Sequence, residues 1–101
     1  MVTNQPYNKL TPAEDERLTL LIEECAEVIQ AATKIQRHGY EGTYPDSGET
    51  NRAALERELG DLQWVITHLV RRGDVKSHAI IKASNDKVRR VIPYLHHQNE
   101  D

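Results

Sequence analysis

Apolar side chains recur every three or four residues along most of this chain, and that period constrains its fold more than any other feature. Leu18, Leu21, Ile22, Cys25, Val28, Ile29, Ala32 and Ile35 follow it first, which is the spacing of one face of a helix. Thr11-Pro12-Ala13-Glu14 supplies the start: Thr11 caps, Pro12 suits the first turn, and Glu14 completes a capping box. The pattern runs to about His38, where Gly39 stops it. A second helix carries Leu55, Leu59, Leu62, Val65, Ile66 and Leu69, with Thr50 or Asn51 as cap and Arg71-Arg72-Gly73 as its end. Asp74 is read as the opening of a third, whose apolar set is Val75, Ala79, Ile80, Ala83, Val88, Val91 and Leu95. Pro93 marks either a kink or the end of that helix. No stretch alternates with period two, and no internal repeat competes. The class is all-α.

Size decides how such helices can be covered. The chain has 101 residues, of which 38% are hydrophobic and 5% aromatic, with no Phe. A core built from Leu, Ile, Val and Ala on so short a chain is thin. The expectation is one domain over residues 1–101, an antiparallel bundle of three to four helices completed by self-association as a homodimer or homotetramer. Residues 1–10 form an arm and 96–101 a tail. Sixteen acidic against thirteen basic side chains give a net charge of −3, which argues against stable nucleic-acid binding. Cys25 is the only cysteine, no apolar run is long enough to span a bilayer, and Met1 to Leu10 lack the apolar stretch of a signal peptide. A soluble, cytoplasmic protein is expected, with no membrane partner.

Between the first two helices, residues 39–50 contain three glycines, Pro45, two tyrosines and Asp46-Ser47-Gly48, a composition with turn chemistry that cannot sustain a helix. Connections this long are often functional. Tyr40 and Tyr44 either stack on a ligand or tack the loop to the bundle.

The chemistry lies in acids set among the apolar positions. At about 100° per residue, Glu24 and Glu27 fall about 60° apart on the first helix, and Glu23 about 40° from Glu27 on the other side. Lys34 and His38 continue this stripe. On the second helix Glu58 and Asp61 repeat the i, i+3 spacing, with Gly60 removing a side chain beside them. Like charges at these spacings repel, and repel more strongly if the helices pack together, so something must neutralise them. A Glu-rich stretch alone is an ordinary solvated face. Two acidic pairs abutting two apolar stripes instead make an all-oxygen environment suited to Mg²⁺, or to Mn²⁺ as a substitute.

Basic and aromatic residues supply the surroundings. Lys82, Asn85 and Arg89, spaced i, i+3, i+7, share a face of the third helix that can hold phosphates or simply solubilise it; Lys87 and Arg90 point elsewhere. His68 falls on the carboxylate stripe of the second helix and is read as structural rather than as a ligand. Trp64 is read as core or dimer interface, with a base platform as the other possibility.

Glu23-Glu24-Cys25-Ala26-Glu27 and Glu58-Leu59-Gly60-Asp61 resemble the paired Glu-Glu-x-x-Glu and Glu-x-x-Asp motifs of the all-α NTP pyrophosphatases, the MazG-like group. The resemblance runs from about Leu18 to Arg90. Its thirty-residue spacer, Val28 through Arg57, is slightly longer than usual, and the excess falls in the 39–50 loop. The resemblance implies that Glu24, Glu27, Glu58 and Asp61 bind Mg²⁺ and that Glu23 is a further ligand or the catalytic base for water. Lys82 and Asn85 resemble the nucleotide-binding positions of the following helix. Arg37-His38-Gly39-Tyr40 is similar to phage-encoded members, whose setting would be the host cytoplasm. The implied reaction splits a nucleoside triphosphate between its α and β phosphates, giving monophosphate and pyrophosphate; for a phage-type enzyme the expected substrate is dGTP or another purine triphosphate, with pyrimidine or damaged nucleotides as the alternatives.

Three rivals stand beside this reading. A non-enzymatic helical adaptor would use the acidic face to bind a basic partner, and would neither saturate with Mg²⁺ nor release pyrophosphate. A small nucleic-acid-binding protein would rest on the basic third helix and bind DNA in a salt-sensitive way. A phosphoribosyl-ATP pyrophosphohydrolase would share the metal logic and differ in substrate.

Overall fold

A computed structural model describes residues 7–98; residues 1–6 of the expected arm and 99–101 of the expected tail lie outside the described residues. The fold is all-helical: α1 spans Pro12–His38, α2 Asn51–Arg71 and α3 Ser77–Val91, followed by a 3₁₀ turn at Ile92–Tyr94. Among the described residues there is no strand, only an isolated bridge between Thr43 and Thr50.

The helix ends follow local chemistry. Glu14 N donates to the Thr11 hydroxyl and Thr11 N donates to the Glu14 carboxylate, closing the capping box of α1. Gly39, at φ 79°, ends α1 in a backbone region that side chains disfavour, and its N–H donates to Ile35 O. At α2 the cap is Thr50, whose hydroxyl accepts from Ala53 N. Asp74 does not open α3. Its carboxylate is held by Arg17 of α1, and α3 starts after Lys76 with no side-chain cap. Pro93 marks the end of α3, since the α-helix stops at Val91 and the proline sits in the 3₁₀ turn.

α1 and α2 form an antiparallel hairpin, the only extensive helix–helix packing among the described residues. Ala31, Ala54, Val65 and Leu69 are its buried apolar residues, so the core is as thin as the composition requires. α3 has no buried residue and packs on neither partner extensively. The radius of gyration is 18.0 Å, against about 13 Å for a compact chain of this length. Ile22, Ile29, Leu59, Trp64, Ile81 and Val88 are left exposed. Trp64, 55% exposed, is therefore not in the core of its own chain; it stacks on His68 with ring centroids 4.9 Å apart.

Candidate metal and nucleotide site

The α1–α2 hairpin brings acids from both helices to one place. Carboxylate oxygens of Glu24, Glu58 and Asp61 all lie within 4.8 Å of one another. Glu58 is 8% exposed, and Glu24 is half-buried. Loss of solvent, and then the charges of Asp61, Glu58, Glu27 and Glu23, push the Glu24 carboxyl above its ordinary pKa. Three anions gathered this closely want a cation, and the donor set fits a hard one. Two oxygens on a Mg²⁺ at about 2.1 Å are separated by about 3 Å if adjacent and about 4 Å if opposite, so a spread of up to 4.8 Å is close to the scale of one ion's ligand shell. Gly60 leaves the flank between Glu58 and Asp61 open, with nothing within 4 Å of where a Cβ would stand.

The remaining acids of the motif sit around this centre. Glu27 is not one of the three convergent acids; it lines a neighbouring cavity of about 250 Å³ with Glu58, Gln30 and Lys34. Glu23 is exposed and acts on Glu24 through its charge.

Lys34 and His38 line a larger cavity of about 410 Å³ with Thr43, Tyr44 and Pro45 of the loop. The Lys34 ammonium stands 4.2 Å from the Tyr44 ring centroid, and the Arg52 guanidinium 4.4 Å from that of Tyr40. Both tyrosines thus tack the loop to the hairpin. Asn51, 3% exposed, fixes its other end: its side chain donates to Gly39 O at 2.9 Å and its N–H to Gly42 O at 2.8 Å.

The third-helix candidates stand apart from the acids. Lys82 and Arg89 both pair with Asp86, at 2.9 and 3.0 Å, and Asn85 is exposed between them. The cavity beside Glu24 and Asp61 is lined by Leu20, Trp64 and Val65, with no residue of α3. His68 stacks on Trp64 rather than joining the acid cluster.

One residue in contact with the acid cluster escaped the sequence reading. Arg57 donates from Nη1 to Glu58 at 2.5 Å, and from Nε and Nη2 to Glu49 of the loop at 3.3 and 3.1 Å. Glu49 holds the Arg57 guanidinium more firmly protonated, and Arg57 holds the Glu49 carboxyl below its ordinary range. Adjacent helical positions point about 100° apart, so spacing gave no reason to pair residue 57 with residue 58; only the length of an arginine side chain allows it.

A sequence model of the MazG nucleotide pyrophosphohydrolase domain matches residues 13–96. The chain belongs to this family. No curated protein and no solved structure matches it. The match spans all three helices and both acidic motifs, and it makes the chain a nucleotide pyrophosphohydrolase, a hydrolase of acid anhydrides. MazG domains generally use a divalent metal, and the Glu24–Glu58–Asp61 group is an acidic cluster able to hold one. Among the described residues no helix is long and apolar enough to cross a membrane.

Proposed function

We propose that this MazG domain is a Mg²⁺-dependent pyrophosphohydrolase of nucleoside triphosphates, releasing (d)NMP and pyrophosphate in the cytoplasm, with Mn²⁺ able to substitute. The convergence of Glu24, Glu58 and Asp61 across α1 and α2 carries this reading. Glu24, Glu58 and Asp61 hold the ion, with Glu27 on the adjoining cavity wall as the fourth ligand. A bound divalent ion polarises phosphoryl oxygens and lowers the pKa of a coordinated water. Glu23, exposed on the same helix, takes the proton of the attacking water as general base. Lys34 and His38, facing the loop cavity, bind substrate.

The cations of α3 enter through a second copy. α3 leaves Lys82, Asn85 and Arg89 off the acid cluster of its own chain, and its apolar residues Ile81 and Val88 have no cover. A homodimer or homotetramer covers that face, with Lys82, Asn85 and Arg89 placed against the phosphates of the partner's substrate. The sequence around Arg37-His38-Gly39-Tyr40, similar to phage-encoded members, makes dGTP the first substrate to try. The test is pyrophosphate release from a panel of NTPs and dNTPs, phosphoribosyl-ATP included, with and without Mg²⁺. Glu24→Gln and Asp61→Asn should each abolish turnover. Full turnover by both variants, or none from any substrate by the native chain, overturns the reading.

A further inference from the structure

The 39–50 loop and the acid cluster are joined by one guanidinium. Arg57 lies between Glu49 of the loop and Glu58 of the cluster, with two N–H donors on the first and one on the second. We propose that Arg57 is a positioning residue for the metal ligand Glu58, and that Glu49 makes it one by anchoring it and cancelling its charge. This rests on Glu58 holding the ion, as above.

A carboxylate has two oxygens, and Arg57 occupies only Oε1 of Glu58. The Glu58 side chain is 11% exposed, so water has little access to replace that bond. With Oε1 held by Arg57, the Glu58 side chain is restrained before any ion arrives and its second oxygen is left free to ligate. Two bonds from Glu49 prevent the guanidinium from swinging away with Glu58. A bare cation here would repel a divalent ion and compete with it for the carboxylate. Glu49 removes that objection, because the Glu49–Arg57 pair is neutral overall and delivers a hydrogen bond without a net positive charge. The loop that lengthens the spacer thereby contributes to metal affinity through a residue that touches no other acid of the cluster.

Mn²⁺ binding to the full chain, measured by titration calorimetry without nucleotide, tests this apart from turnover. Arg57→Gln should weaken Mn²⁺ by about 10–100-fold, the range typical of lost outer-shell support. Glu49→Gln should weaken it by several-fold or more, and the double variant should bind no more weakly than Arg57→Gln alone, since both act through one bond. Arg57→Lys, keeping the charge without the fork, should recover only part of the affinity. Melting curves accompany each variant, and a variant melting with the native chain yet binding weakly separates positioning from folding. Unchanged affinity in Glu49→Gln overturns the relay. Tighter binding in Arg57→Gln overturns it too, showing that Arg57 competes with the ion. Native chain that binds no Mn²⁺ overturns the metal reading along with it, whereas native binding without pyrophosphate release leaves the relay standing.

Discussion

Arg17 and Asp74, 57 positions apart, clamp the first turns of α1 to the turn after α2 through two parallel hydrogen bonds, Nε to Oδ2 at 2.5 Å and Nη2 to Oδ1 at 2.9 Å. Their side chains are 14% and 18% exposed, so this bidentate pair is better shielded from solvent than the other ion pairs among the described residues. Arg17 holds the Asp74 carboxyl below its usual range. A depressed carboxyl stabilises the fold above its unfolded pKa and loses that contribution as pH falls through its folded value. Asp74→Asn should lower Tm by about 2–5 °C near neutral pH. The difference should shrink in melts run below pH of about 4. A difference that persists undiminished at acid pH assigns the loss to packing instead.

Glu24 titrates in the opposite sense. Burial first, then its acidic neighbours, raise its pKa, so the metal-free fold is stabilised relative to its ionised form at low pH and loses that advantage as pH rises through the raised value. The same proton competes with the ion. Mg²⁺ should therefore raise Tm more at pH 7.5 than at the ordinary glutamate pKa of about 4.5, and Glu24→Gln should melt above the native chain without metal at pH 7.5 while its Mg²⁺ affinity falls at least about tenfold. Equal Mg²⁺ stabilisation at both pH values removes Glu24 from the ligand set.

Gly42 should tolerate no side chain. A Cβ there would stand 2.8 Å from His38 O at the end of α1 and 2.9 Å from Asn51 Nδ2, the amide that ties the start of α2 to Gly39 O. Gly42→Ala should cost about 1–3 kcal/mol in urea denaturation through overpacking. Asn51→Ala should cost about 1–2 kcal/mol through the lost buried hydrogen bond to Gly39 O. Because both substitutions disturb one junction, their combined cost should fall short of the sum.

The parts legible in the sequence are those set by local chemistry. Thr11, Pro12 and Glu14 announced the start of α1, and Thr50 or Asn51 that of α2, where the structure selects Thr50, because caps are read within one turn. The acidic motifs were legible because helical spacing fixes which side chains share a face, and the hairpin does bring Glu24 to Glu58 and Asp61. What depended on distant partners was not legible. Asp74 looked like a cap because nothing near it in sequence revealed Arg17. Arg57 appeared only as the last residue of the spacer, because its partners lie eight residues back and at the adjacent position. Periodicity marked the apolar face of α3 without saying what would cover it.

That uncovered face gives the last prediction. Ile81 and Val88, seven residues apart on α3, are 60% and 50% exposed, and Ile22 and Ile29 repeat the same spacing on α1 at 68% and 63%. Two stripes of this kind, beside only four buried apolar residues among those described, fit a chain that covers them with a second copy. Sedimentation of the native chain should give a dimer or tetramer, and Ile81→Glu with Val88→Glu should shift it to monomer, since a buried carboxylate without a partner is costly in an interface. The monomeric variant should keep its Mn²⁺ affinity, because the acids come from α1 and α2 alone, while losing most of its turnover with the cations of α3. A native chain that sediments as a monomer and still turns over would place Lys82, Asn85 and Arg89 outside the reaction.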